Sequence, residues 1–348
     1  MVMSARIWVS IITVFLLGLI IFLAWGEIKH AWLLLTQINI WILALLVPIQ
    51  IMAYFTAAEM MFSYLRAKNT IKKITWFEQA RMALEMNFVN HVLPSGGVSG
   101  ISYMNWRLKP YDISAGRATA AQMVRFAAQF ASYIVLLLVA VVWITLDGNM
   151  NRWVILLSIL IVFMMTLGTV LVGTLVSSRA RSEWFADWLV RAVRRFARTV
   201  TFGRITPSLA AEPIASFFIE LHDEYLMLKN DRRLLLKPFL WGLLFNVLDV
   251  SLFVITFWAL GTPISPAPVL IAYGLASIAA IIAVTPGGAG LFEALMVSFL
   301  ATAGIGAGVA IAGTLVTRVV VLLGTIGLGY AFYQHAVLRY GKRPDSAA

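Results

Sequence analysis

The sequence predicts an all-α polytopic integral membrane protein with about six full crossings, two broken re-entrant helical segments and an inverted repeat. Three observations carry that expectation. The chain is 61% hydrophobic and only 12% charged over 348 residues, more apolar surface than a soluble domain of this length can bury. Charge-free runs at 7–26, 126–146, 153–178, 250–292 and 294–317 each reach or exceed the ~20 residues that span ~30 Å of hydrocarbon. Finally, "HVLPSGGVSG" (91–100) and "AVTPGGAGLFEAL" (283–295) place proline and paired glycines inside apolar surroundings, where a spanning helix would avoid them. A β-barrel would instead show ~10-residue segments of alternating hydrophobicity.

The first crossing is expected over about 7–26; it is too long for a signal-peptide core and no convincing small-x-small site follows it, so it reads as a retained helix. The second is expected over 40–63. The loop after it carries Arg66, Lys68, Lys72 and Lys73 with no acid, which places that loop, and with it the N-terminus, in the cytoplasm. Residues 74–112 hold the first break, with Arg107 and Lys109 on its far side. The third crossing follows at about 115–146, a short "DGNMN" turn, and the fourth at 153–176. The stretch 177–237 carries eleven Lys/Arg against seven Asp/Glu and is expected in the cytoplasm. The fifth crossing is expected over 238–260, the second break within 267–305 and the sixth crossing over 307–333. The tail carries Arg339, Lys342 and Arg343, again cytoplasmic. This gives three parts: a first membrane half (1–176), a basic amphipathic segment (177–237) and a second membrane half (238–348). Eight full crossings are the alternative, because the broken segments are nearly long enough to span.

The two breaks repeat. Arg125 lies 31 residues after Pro94, and Arg318 lies 32 residues after Pro286, each arginine within an apolar helix. An odd number of crossings per half turns the second half upside down, the arrangement in which interrupted segments of inverted-repeat transporters meet near the midplane. Broken backbone at that depth is tolerated where it is buried in protein or lines a polar cavity. The glycines Gly96, Gly97, Gly287, Gly288 and Gly290 allow close backbone approach and leave N–H groups free to hold an anion.

An arginine at the centre of a spanning helix costs ~2.5–3.5 kcal/mol on insertion scales and faces a cavity or a partner. Arg125 and Arg318 either grip the phosphate of a lipid headgroup with their planar donor forks or are neutralised within the protein by Asp249, Glu293 or Glu85. Glu293, directly after the second break, accepts a cationic group, carries a proton or caps the restarted helix. Asn246 and Asp249 share one helix face, and Asn90 and His91 precede the first break. The substrate-binding set expected from these residues is Arg125, Arg318, Glu293 and Asp249 with Pro94, Gly96, Gly97, Pro286, Gly287, Gly288 and Gly290. In "SEWFADWLVRAVRRFARTV" (182–200), Trp184, Trp188, Leu189, Ala192, Val193 and Phe196 share one side of a helix and Arg191, Arg194 and Arg198 the other. Such a helix lies in the interface of an anionic leaflet.

Other functions are disfavoured. The net charge of +11 follows from basic loops obeying the positive-inside rule rather than from nucleic-acid binding. There are no cysteines and only four scattered histidines (His30, His91, His222, His335), which disfavours a metal site or thiol chemistry, and no cofactor is expected. No G-x-x-x-x-G-K-[ST] loop is present, so any driving force comes from a gradient, a proton or lipid mass action.

"TPGGAGLFE" (285–293), "PSGG" (94–97) and the arginine of the last helix resemble the transmembrane domain of lysylphosphatidylglycerol synthases, a flippase-like family with stand-alone members. The resemblance covers most of the chain and implies movement of a lipid or its headgroup between leaflets. Complete synthases add a soluble domain that transfers lysine from charged tRNA to phosphatidylglycerol. Here the sequence runs fifteen residues past the last predicted crossing, so a stand-alone member is expected and lysine transfer does not carry over. The expectation is a non-enzymatic translocase or lipid-binding transporter of a bacterial inner membrane, multi-pass with both termini cytoplasmic. Its expected partner is an anionic membrane lipid, with lipid-synthesis enzymes and a second copy as further partners. The rivals are an intramembrane enzyme using Glu85, Asp249 or Glu293 on a lipid carrier, and a scaffold for lipid-synthesis enzymes.

Overall fold

The computed structural model describes residues 33, 36–68, 71, 74–92, 98–147, 152–200, 219, 222–223, 225–227, 229–282 and 288–340. The expected first crossing at 7–26, the break residues Pro94, Gly96, Gly97, Pro286 and Gly287, and Lys342 and Arg343 of the tail lie outside them.

The described chain is helical. A short turn α1 (Ile40–Leu43) leads into α2 (Leu46–Ala67); α3 (Trp76–Val92) and α4 (Val98–Leu108) flank the first break. A 3-10 turn at Lys109–Tyr111 leads to α5 (Ala115–Asp147), followed by α6 (Arg152–Val176) and α7 (Arg179–Val200). Then come α8 (Arg233–Ala259), α9 (Pro266–Ile282), α10 (Leu291–Thr302) and α11 (Ala307–Tyr340). Among the described residues, five stretches are long and apolar enough to cross a membrane: Ile40–Ala67, Ala115–Trp143, Ile159–Val176, Arg233–Ala259 and Ala307–Tyr340. They coincide with the second to sixth expected crossings.

Both broken segments are hairpins. The α3–α4 hairpin opens and closes at one end of the bundle, because Arg107, at the end of α4, reaches back to Glu78, in the first turn of α3. Near its tip, the Asn90 Oδ1 accepts a bond from the Gly100 N–H at 2.9 Å, and a Cβ on Gly100 would fall 2.5 Å from that side chain. The α9–α10 hairpin opens at the opposite end. The start of α11 lies beside the end of α8, since Gly313 packs directly on Phe257, so α9 starts and α10 finishes at that same end. Gly288 (φ 70°) and Gly290 (φ 89°) turn the chain between α9 and α10. A Cβ on Gly288 would meet the Ala280 Cβ at 2.3 Å, a close approach that only glycine permits.

The two halves match element by element. A spanning helix (α2, α8) precedes a hairpin of 17 and 11 residues in the first half and of 17 and 12 in the second. A helix of 33 or 34 residues then follows (α5, α11). One hairpin opens at the basic end, where Arg66, Arg107, Lys237 and Arg339 gather, and the other opens at the far end, as an inverted repeat requires. Helices α6 and α7 are inserted between the units. Each unit's hairpin packs on the other unit's long helix, α3 against α11 and α9 against α5.

Two cores result. One, at the basic end, buries Met61, Phe62, Leu65, Met82, Met86, Met104 and Leu108 from α2, α3 and α4. The other buries Leu137, Phe257, Ile271, Met296, Phe299 and Leu300 from α5, α8, α9 and α10. Close helix crossings rest on small residues, as is usual in membranes: a Cβ on Gly242 would fall 2.7 Å from Ser132 Oγ and 2.9 Å from the Ala128 carbonyl. The outward-facing residues are large and apolar, among them Trp143, Phe163, Leu171, Leu236, Val247 and Leu323. On α7, Trp184 and Trp188 are exposed, as are Arg191 and Arg195, while Ser182, Ala186 and Val190 are buried against the bundle. The side chains of Leu189, Val193, Arg194, Phe196 and Arg198 lie outside the described set.

Candidate functional site

The restart of the chain after the second break builds the most concentrated of the expected sites. Gly290, in a conformation other residues avoid, sits at the start of α10, and its N–H donates to Glu293 Oε2 at 2.6 Å. The same carboxylate accepts from Arg318 Nε at 2.7 Å through Oε1. Arg318 also stacks 4.5 Å over the Phe292 ring. Of the alternatives for Glu293, capping and pairing are therefore both realised: one oxygen closes the helix start, the other holds the arginine of α11. The pair remains partly open, with 19% and 23% of the two side chains exposed.

Arg318 also unites the two halves. Its charge acts on Asp249 of α8 and on His91, the last turn of α3 beside the first break. The Asp249 carboxylate accepts from the Tyr273 hydroxyl of α9, and Tyr273 packs edge-on against Phe253 and Phe292. His91 Nδ1 donates to the Asn87 carbonyl at 2.8 Å, a satisfied position on the helix. Arg318, Glu293 and Gly290 are thus joined by direct contacts, and Asp249 and His91 stand within reach of the Arg318 charge. Asn246 is drawn elsewhere: its Nδ2 donates to the Gln129 carbonyl at 3.0 Å and to Ser132 Oγ at 2.9 Å, tying α8 to α5.

Arg125 is not joined to this cluster by any contact among the described residues. It is 6% exposed, its Nε donates to Gln122 Oε1 at 3.0 Å, and its guanidinium lies 4.5 Å over the Phe126 ring. No carboxylate among the described residues pairs with it. Arg125 stands ten residues into α5, ~15 Å from its start, and Arg318 eleven residues into α11, ~17 Å from its start, the two helices running in opposite directions. The arginines occupy equivalent places in the two inverted units rather than a single spot.

Glu85, expected as a candidate partner of Arg125 or Arg318, instead pairs with Arg81 and Arg107 in an ionic network of its own. Arg107 has no exposed surface and pairs with Glu85, equally buried, at 3.2 Å and with Glu78 at 3.4 Å. Glu85 also accepts from Arg81 Nε at 2.7 Å and from the Tyr103 hydroxyl at 2.8 Å. Glu78 accepts from the Tyr111 hydroxyl at 2.6 Å, and Arg107 lies 4.3 Å over the Tyr340 ring. Burial raises the Glu78 carboxyl, but the bonds from Tyr111 and Arg107 and the arginine's charge outweigh it and leave it below its ordinary value. A cavity of about 260 Å³ lined by Thr75, Phe77, Glu78, Arg81, Tyr111, Arg339 and Tyr340 opens beside it. The signal for this site was present: Glu78, Arg81 and Glu85 recur on one face of a helix. Arg107, by contrast, looks like an ordinary topology-setting charge.

Comparison with known proteins sets this geometry in context. The chain is 23% identical over 233 residues to a UPF0104 membrane protein of the archaeon Methanothermobacter thermautotrophicus, an alignment covering 67% of each chain. It is 27% identical over 135 residues to a second UPF0104 membrane protein of the same organism, covering 39% of this chain and 37% of that one. No solved structure matches. Residues 7–329, which include both hairpins, Arg125 and Arg318, match the family model described as the lysylphosphatidylglycerol synthase TM region, and the chain belongs to that family.

Proposed function

We propose that the protein moves a lipid with an anionic headgroup between the leaflets of a bacterial inner membrane, and does so as a carrier rather than an enzyme. The observation that carries this reading is Arg125: a guanidinium inside a spanning helix, 6% exposed and paired with no described carboxylate. Leaving a buried cation uncompensated is costly, and a phosphate supplies the missing charge together with acceptors that match the arginine's fork. In the second unit Arg318 offers the equivalent group, held ready by Glu293 and still partly open. Two stations related by the inverted repeat suit a substrate handed from one side to the other as the units rock. The carboxylates support a carrier too. Of the carboxylates an enzyme reading would use, Asp249 is engaged by Tyr273, Glu293 by Gly290 and Arg318, and Glu85 by Arg81, Tyr103 and Arg107.

The test is a leaflet-exchange assay with headgroup-labelled phosphatidylglycerol in reconstituted vesicles, run beside mass spectrometry of co-purifying lipids. Losing one charge-assisted contact is worth about 1.5–3 kcal/mol, or roughly ten- to a hundredfold in affinity. Arg125→Gln and Arg318→Gln, each shown to be folded, should therefore slow exchange at low lipid mole fraction and lose the enriched anionic lipid. Exchange at the wild-type rate in both variants, with co-purified lipid matching the bulk membrane throughout, would refute the assignment.

A further inference from the structure

A groove of about 690 Å³ lies at the basic end, between the end of α2, the start of α3 and the start of α8. It is lined by Glu59, Ser63, Arg66, Trp76, Lys237 and Leu240, among others, and shares no residue with the sites above. Its floor holds two polar atoms with no partner among the described residues. Glu59 is 1% exposed; its Oε2 pairs with Arg66, but its Oε1 has no hydrogen-bond partner. Ser63, one turn further on and 4% exposed, has an Oγ with no partner either. Buried polar atoms are normally satisfied, so a pair of them lining one groove marks where a ligand's polar atoms belong.

The charges select the ligand. Glu59 and Arg66 cancel, and Arg66 is further held by Gln79 and by the Trp76 ring, 4.1 Å away. Lys237 is left exposed, with no ion-pair partner among the described residues, and its charge reaches Glu59. The groove therefore carries one net positive charge, which a phosphate diester balances. An added ammonium group would meet that surplus charge, and the Trp76 face that might have received it is already taken by Arg66. Neutral hydroxyl groups fit instead: they donate to Glu59 Oε1 and exchange a bond with Ser63 Oγ. The walls fix the source. Leu240 and Leu244 are 54% and 37% exposed, facing outward, and Trp76 and Trp241 are the aromatic residues that favour the level of the headgroups.

We infer that this groove is a second lipid site, separate from the paired stations, that holds an anionic phospholipid with a hydroxyl-bearing headgroup: phosphate on Lys237, headgroup hydroxyls on Glu59 and Ser63, acyl chains along Leu240 and Leu244. Native mass spectrometry of the full chain tests it, using equal amounts of phosphatidylglycerol, phosphatidylmethanol (the same charge, no hydroxyl) and phosphatidylethanolamine. Wild type should retain phosphatidylglycerol over phosphatidylmethanol by about tenfold and retain phosphatidylethanolamine least. Ser63→Ala should shrink the preference over phosphatidylmethanol, and Lys237→Gln, at an exposed position that folding tolerates, should weaken both anionic lipids alike. Arg125→Gln and Arg318→Gln should lower total anionic lipid yet keep the preference for phosphatidylglycerol over phosphatidylmethanol, whereas Ser63→Ala shrinks that preference, so the hydroxyl-dependent signal separates the groove from the paired stations. Equal retention of phosphatidylglycerol and phosphatidylmethanol, a preference for phosphatidylethanolamine, or wild-type ratios in both groove variants would overturn the assignment.

Discussion

Glu85→Ala should be among the most damaging single substitutions in the protein. The carboxylate has no exposed surface and answers Arg107, Arg81 and the Tyr103 hydroxyl together. Removing it leaves the buried Arg107 with Glu78, at the longer 3.4 Å, as its one remaining carboxylate among the described residues. Breaking a buried pair by deleting one partner costs about 3–5 kcal/mol, whereas replacing both partners with apolar residues of similar size is close to neutral. The prediction is therefore a difference. Glu85→Ala should lower unfolding stability in mixed micelles by about 3–5 kcal/mol, and Glu85→Leu/Arg107→Met should recover more than half of that loss. Arg81 survives the double change through its bond to the Phe332 carbonyl at 3.1 Å. A loss under about 1 kcal/mol for Glu85→Ala, the range of an exposed pair, would refute the argument. So would a double variant whose loss equals the sum of the two single ones.

Gly288→Ala forces a side chain into a left-handed backbone and against Ala280; it should destabilise the second hairpin by about 1–3 kcal/mol, read as a lower melting temperature beside a control such as Gly306→Ala, where the added carbon meets nothing. Gly242→Ala presses on the Ala128 backbone at the α5–α8 crossing and should cost about 1–3 kcal/mol, with no such loss for Gly168→Ala, where the added carbon meets nothing. Glu78 is held below its ordinary value, so its contribution to stability is complete above the usual carboxylate range and fades as pH falls through its depressed folded value. Glu78→Gln should flatten that acid limb of the stability profile; a profile parallel to wild type would exclude Glu78 as its source.

Hydropathy locates the crossings because the bilayer imposes a length on each one, and five of them stand where the apolar runs put them. The ends are less legible. The last helix continues to Tyr340 rather than stopping at 333, because Phe332, Tyr333 and Tyr340 are carried on by contacts to α3 and α4 that no local pattern encodes. The repeat is suggested by two prolines and two arginines, whereas the matching hairpin lengths and the opposite ends at which they open are legible only in three dimensions. At the candidate site, Glu293 was one of three carboxylates that could answer Arg318, and only the turn through Gly288 and Gly290 decides among them. Arg107 shows the limit most clearly. Its charge suits a loop beside the membrane, and its complete burial depends on Glu85 and Tyr340, distant along the chain and on other helices.

That last dependence bears on how the chain is made. The first hairpin carries Glu78, Arg81, Glu85 and Arg107, a set that lipid would reject, and part of what shelters them is the Phe332 carbonyl and the Tyr340 ring, 251 residues beyond Arg81 and 262 beyond Glu78 respectively. During synthesis those partners arrive last. The hairpin must wait at the translocon or the membrane surface, half assembled, until the final helix emerges, and only then does the first unit close. A ribosome stalled before α11 should therefore leave the early hairpin open to protease, however complete the helices before it.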